Sequence, residues 1–167
     1  GEHEQSSGRT QGPSSREVRK LRPEPAEVRG RGPAPEGMAE AYRALVDNSL
    51  QGLMILQDGR VVFANHAAGE ITGYAVVDML VTPPEEVRRF VHPDDRDLVW
   101  RRHEQRLADE PVPQRYEIRG LRKDGTTCWL EIDACRIEYR GRPAIQIACV
   151  DITARKRSEQ LMRTLCD

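Results

Sequence analysis

Cys128–Tyr139, "CWLEIDACRIEY", and Ala148–Gln160, "ACVDITARKRSEQ", decide the fold of this 167-residue chain. In the first stretch Cys128, Leu130, Ile132 and Ala134 alternate with Trp129, Glu131, Asp133 and Cys135. A strand puts such alternating sets on opposite faces, one apolar and one mixed. The second stretch begins as a strand, stops at Asp151-Ile152-Thr153, and continues as a charged helical pattern. A carboxylate or hydroxyl at that switch can satisfy amide donors that the first turn of a helix leaves unpaired. Asp151 or Thr153 is therefore read as the cap of a C-terminal helix.

Working outward, three strands are expected at 114–122, 126–138 and 143–151, joined by Asp124-Gly125 and Arg140-Gly141-Arg142. Near the start, 51–57 and 60–65 read as two more strands, with Asp58-Gly59 between them as a primed hairpin turn. Residues 66–82 read as one or two short helices broken at Gly73, and Pro83-Pro84 reset the chain before a short helix at 85–90. "HPDDRDLVWRRHEQRLADEP" (92–111) reads as the longest helix. Pro93 suits its first turn, Asp94 and Asp95 favour the positive end of its dipole, and Pro111 closes it. Residues 38–48 carry Met38, Tyr42, Leu45 and Val46 at helical spacing. Two strands, a helical segment and three further strands imply an α+β domain built on one antiparallel sheet.

Residues 1–37 are crowded with proline, glycine and charge and hold almost no large apolar side chain. Such a stretch cannot bury enough surface to offset its ordering entropy, so a disordered, flexible linker or leader is expected there. Net charge is −1 with both signs interspersed, which gives no electrostatic case for nucleic acid. No segment approaches the ~20 apolar residues of a membrane span. The cysteines at 128, 135, 149 and 166 form no Cys-x-x-Cys pair, which fits neither a zinc site nor a disulfide framework and suits a reducing, cytoplasmic setting. No Gly-x-Ser-x-Gly, phosphate-binding loop, dinucleotide fingerprint or His-Glu-x-x-His is present, so the chain reads as non-catalytic.

Four pieces in register, "DGRVVFANHAAGEITGY" (58–74), "VHPDDRDLV" (91–99), "RYEIRGLRKDGTTCWLEI" (115–132) and "ACVDITARKRSEQ" (148–160), resemble a PAS domain, the sensory module of bacterial signalling proteins. The resemblance covers 38–157, roughly 120 of the 167 residues. It implies a PAS fold, a five-stranded antiparallel sheet with helices on one face, flanked by an N-terminal helix and a C-terminal linker helix. The domain is then 38–154, and 155–167 opens the linker helix. The Asp151-Ile152-Thr153 motif becomes the joint that passes sheet strain into that helix.

On this resemblance the chain is a cytoplasmic input module of a multidomain protein, foremost a sensor histidine kinase, with the effector domain later in the same chain and a homodimeric state. A ligand or redox signal would travel through the joint. The alternatives are a ligand-free dimerisation spacer and a regulator of a diguanylate cyclase or phosphodiesterase.

Relatives of this kind hold haem, flavin, small acids or nothing known, and the fold alone does not name the ligand. Flavin photochemistry needs a cysteine in the helical half, and none precedes Cys128. Haem would need a histidine on the long helix, where His103 lies four residues from both Val99 and Leu107 on an apolar stripe. His103 is thus either an iron ligand or a core-edge histidine bonded to backbone or solvent. Alternation assigns Leu53, Ile55, Leu130, Ile132, Ile147 and Cys149 to the wall of a small-molecule cavity, an assignment that a one-residue slip would invert. Both faces of the last strand are mostly apolar, so the outer sheet face is expected to be covered by helix 38–48 or by a second subunit. Arg115, Glu117, Arg119 and Arg122 read as a solvated strand face.

Overall fold

A computed structural model describes residues 37–166. The linker expected over 1–37 lies outside them, apart from Gly37. The chain runs α1 (Met38–Asp47), β1 (Gly52–Gln57), β2 (Arg60–Ala64), α2 (His66–Thr72), α3 (Val76–Leu80), a 3-10 segment (Pro84–Phe90), a 3-10 turn (Pro93–Asp95), α4 (Arg96–Leu107), β3 (Arg115–Leu121), β4 (Thr127–Tyr139), β5 (Arg142–Asp151) and α5 (Thr153–Cys166). The five strands form one antiparallel sheet in the order β2-β1-β5-β4-β3. The first hairpin thus closes onto the last strand of the chain, and the helical segment spans the gap between them.

Local chemistry fixes the hairpins. Asp58 and Gly59 both have positive φ, at 53° and 76°, and Arg140 and Gly141 repeat the pattern at 51° and 76°. Paired positive φ values give primed turns, whose twist matches that of the flanking strands. β2 carries a bulge opposite Ile55 and Leu56, so Phe63 pairs with Ile55 and Val61 with Leu56.

The long helix is shorter than its sequence suggests, and its acidic start does other work. The α-helix begins at Arg96 after a 3-10 turn and ends at Leu107. Asp95 makes no cap hydrogen bond. Its carboxylate instead accepts from the Arg119 amide at 2.8 Å, from Nε at 3.1 Å and from Nη2 at 2.8 Å. The Arg119 side chain holds the Asp95 carboxyl below its ordinary range despite partial burial.

One sheet face holds two apolar clusters. Ile118, Leu130, Ile132 and Ile145 belong to the first; Leu56, Val61, Met79 and Val87 belong to the second. Trp100 and Ile147 pack against both and join them. At the junction of β1, β2 and α2 sits Asn65, fully buried. Its Oδ1 accepts from the Leu53 and Ala68 amides, while Nδ2 donates to the Val46 and Gln51 carbonyls. One side chain thereby caps α2 and ties the end of α1 to the start of β1. On the opposite sheet face Leu53, Ile55 and Gln146 are buried, although α1 buries none of its own residues fully.

Candidate ligand cavity and output joint

Between α4 and the inner face of the sheet lies a cavity of about 90 Å³. The structure brings His103, Leu130, Ile132, Ile147 and Cys149 to its wall, together with Val99. Leu53 and Ile55, expected in the same wall, are not there. β1 pairs with β5 so that Met54 opposes Ile147 and Leu56 opposes Ile145. Residues directly opposed across a ladder share a face, so Met54 and Leu56 line the cavity while Leu53 and Ile55 point to the other side. Both sets in β1 are apolar, so alternation within that strand carries no information about which faces inward.

Sequence reasoning also passed over Arg106, Tyr116, Phe90 and Trp100, all in the wall. Arg106 falls seven residues after Val99 and three after His103, on the same helix stripe, which was the available signal. Burial, reinforced by the Arg106 charge, pushes His103 below its ordinary pKa, so its imidazole is neutral at pH 7. Burial pushes the Cys149 thiol up to about 12, so it is a neutral thiol at pH 7.

A haem does not fit this site. Pockets for cofactor-sized ligands span ~300–1,000 Å³, several times the space present. Among the described residues no group of three or more His, Cys, Asp or Glu could hold a metal ion.

The second feature is the joint between β5 and α5. The Ile152 amide donates to the Trp129 carbonyl at 2.9 Å, and the Trp129 amide donates to the Thr153 hydroxyl at 3.0 Å. The Asp151 carboxylate accepts from the Thr153 amide at 2.9 Å and from the Thr153 hydroxyl. Its other oxygen pairs with Arg122 at 2.9 Å. Asp151 thus satisfies an orphan donor of α5, as expected of a cap, while the Thr153 hydroxyl completes the β4 edge instead of capping the helix.

The charged face of β3 is not merely solvated. Glu117 pairs with Arg155 at 2.7 Å and with Lys156. Arg122 holds Asp151, Arg119 holds Asp95 and Arg115 holds Asp133. Trp129, on the same outer face, lies 4.9 Å from the Lys156 ammonium and 5.7 Å from the Arg119 guanidinium, measured to its ring centroid. Alternating charge on this strand therefore clamps α5 and the loop before α4 to the sheet. Its partners lie 18 or more residues away along the chain, which no local pattern reports.

Cavity and joint share one strand. Leu130 and Ile132 face the cavity, while Trp129, one residue before Leu130, and the neighbouring strand's Glu117 hold α5.

Comparison with known proteins agrees with this architecture. A family model described as the PAS fold matches residues 61–149. The chain belongs to the PAS-fold family. The C4-dicarboxylate transport sensor protein DctS of Rhodobacter capsulatus is 29% identical over 127 residues, 74% of this chain and 19% of that protein. The chain spans about a fifth of that relative's length. Among solved structures, the PAS domain of an HTR-like protein from Haloarcula marismortui has a TM-score of 0.56 at 24% identity, covering 70% of this chain and 93% of the other. A sensory box histidine kinase/response regulator from Burkholderia thailandensis E264 has a TM-score of 0.56 at 22% identity, covering 74% and 92%. These two likenesses establish the shared fold. No described helix of this PAS domain is long and apolar enough to cross a membrane.

The joint is expected to open with acid. The Lys156 hydrogen bond lowers the Glu117 pKa; burial pushes Asp151 up, but Thr153 and Arg122 outweigh it and hold that carboxyl low. Groups with depressed folded pKa values stabilise above their ordinary range and lose that contribution as pH falls through it. Amide protection in α5 should therefore fall on acidification below about pH 4, while β4 and β5 stay protected. Protection of α5 that persists as long as that of the sheet would contradict the clamp.

Proposed function

We propose that this PAS domain is the non-catalytic, cytoplasmic input module of a sensor histidine kinase, passing a ligand or redox signal through Asp151-Ile152-Thr153 to α5. The observation that carries the reading is the shared strand, β4, with the cavity on one side and the helix clamp on the other. A change in cavity occupancy that shifts β4 alters the geometry of Trp129, to which both the joint and Lys156 are fixed. Two arrangements of α5, differentially favoured by the empty and filled cavity, are all that transmission requires. Likeness to the transport sensor protein DctS supports the sensory role.

In this reading the domain extends over 38–154 and the helix beyond it leads to the effector. Leu161, Met162 and Leu165 remain exposed on α5 at helical spacing. We assign them to contact with a second copy of the chain in a homodimer.

The test is autophosphorylation of the full-length protein, followed with labelled ATP. Asp151→Ala and Thr153→Ala should each change its rate by about fivefold or more, the scale of an ordinary coupling energy. Wild-type rates in both variants, or a full-length protein that does not autophosphorylate, would overturn the reading.

A further inference from the structure

The polar inventory of the cavity is unbalanced. Arg106 lines it and is 5% exposed. Its guanidinium donates from Nη2 to the Pro113 carbonyl and lies 5.8 Å from the Tyr116 ring centroid. No carboxylate among the described residues forms an ion pair with it. No Asp or Glu lines the cavity at all. A second cation, Arg102, lies 4.6 Å from the same Tyr116 ring, likewise without an ion pair. Buried charges are ordinarily paired, because removing an ion from water without a counter-ion costs several kcal/mol. Apart from Thr72, His103 and Cys149, the rest of the wall is aliphatic and aromatic.

We propose that the cavity binds a small amphiphilic monocarboxylate, its carboxylate on Arg106 and its apolar tail among Leu130, Ile132, Ile145 and Ile147. This rests on the input-module reading and names the ligand class of that site. Size limits the tail. The space is smaller than the ~150 Å³ cavity that admits the six heavy atoms of benzene, so the fit is to a monocarboxylate of about five heavy atoms, carboxylate included. Charge limits the head. A dicarboxylate of the same length would bury its second charge against aliphatic side chains with no second cation in the wall, and a neutral amide would leave Arg106 uncompensated. A carboxylate on Arg106 also balances the positive field that helps keep His103 neutral.

The experiment uses Trp100, which lines the cavity, as reporter in a Trp129→Phe background, where it is the sole tryptophan. Propanoate, propanamide and malonate are titrated against its fluorescence. Propanoate should bind at least tenfold more tightly than either of the others. Arg106→Met should abolish that preference while raising or preserving the melting temperature, since it removes an uncompensated buried charge. Arg106→Lys should retain the preference in part. Propanoate no tighter than propanamide, or an undiminished preference in a folded Arg106→Met, would overturn the proposal. If Arg106→Met fails to fold, Ile132→Phe decides: filling the cavity should cost propanoate at least tenfold in affinity, and unchanged affinity overturns it. Should propanoate fail while Asp151→Ala still alters the full-length kinase, the ligand class is wrong and the input module stands; propanoate binding with an unaffected kinase gives the converse.

Discussion

Asn65→Leu should lower the unfolding free energy by about 4 kcal/mol, read as a shift of the urea midpoint with an unchanged slope. The side chain uses its whole hydrogen-bonding capacity, two bonds accepted at Oδ1 and two donated from Nδ2. Leucine leaves the Leu53 and Ala68 amides without this acceptor and removes the donor to the Val46 and Gln51 carbonyls. An unsatisfied buried polar group costs ~1–3 kcal/mol, and the lost cap of α2 contributes ~1 kcal/mol of the total. Asn65→Asp separates the two halves of the role. Its carboxylate still accepts from the two amides but faces two carbonyls with no proton to give. Burial without a cation favours its neutral form, so this variant should gain stability relative to wild type as pH falls, the reverse of the wild-type acid response. A loss below about 1 kcal/mol for Asn65→Leu would show that water replaces the amide there.

Gly52→Val is expected to cost about 2–3 kcal/mol through overpacking. A Cβ at Gly52 would lie 2.7 Å from the Cys149 sulfur and 3.2 Å from both the Ala68 Cα and the Ile71 Cδ1. The sulfur can turn away, but the Ala68 backbone belongs to α2, which Asn65 fixes in place. The milder pair Gly52→Ala and Cys149→Ala tests which contact dominates. If the sulfur does, the double variant should be more stable than the sum of the two single losses by about 1 kcal/mol, a coupling measurable in a double-mutant cycle. Strict additivity would place the whole cost in the helix backbone. Cys149 also lines the cavity, so the strain of this substitution reaches the ligand site.

Both effects fall on residues whose importance local sequence does not announce. Asn65 lies within a stretch that carries the family resemblance, yet nothing in "FANHA" says that its amide reaches back to Val46 and Gln51. Gly52 opens a strand where any small residue would suit the pattern. In each case the constraint is a contact made after the elements pack. The cavity wall divides the same way. β4 alternates apolar and polar side chains, so Leu130 and Ile132 could be assigned to the inner face from sequence. β1 is apolar on both faces, so Leu53 and Ile55 could not be distinguished from Met54 and Leu56. His103 was visible on its helical stripe; Arg106 on that stripe was not read as part of the wall, because arginine is ordinarily a surface residue.

What the sequence by itself determined was everything that rests on short-range chemistry. The two-residue primed turns at Asp58-Gly59 and Arg140-Gly141, the alternation of β4, and the arrest of β5 at Asp151-Ile152-Thr153 are set by residues within a few positions of one another. The order of those elements then carried the family. Tertiary structure decided which face of β1 meets the cavity, that Asp95 serves Arg119 and not its own helix, and that the charges of β3 grip α5. It also left one buried guanidinium in a mostly apolar wall without a carboxylate partner among the described residues. Each of these depends on strand register or on groups 24 or more residues apart, and register is fixed only when a strand finds its neighbours.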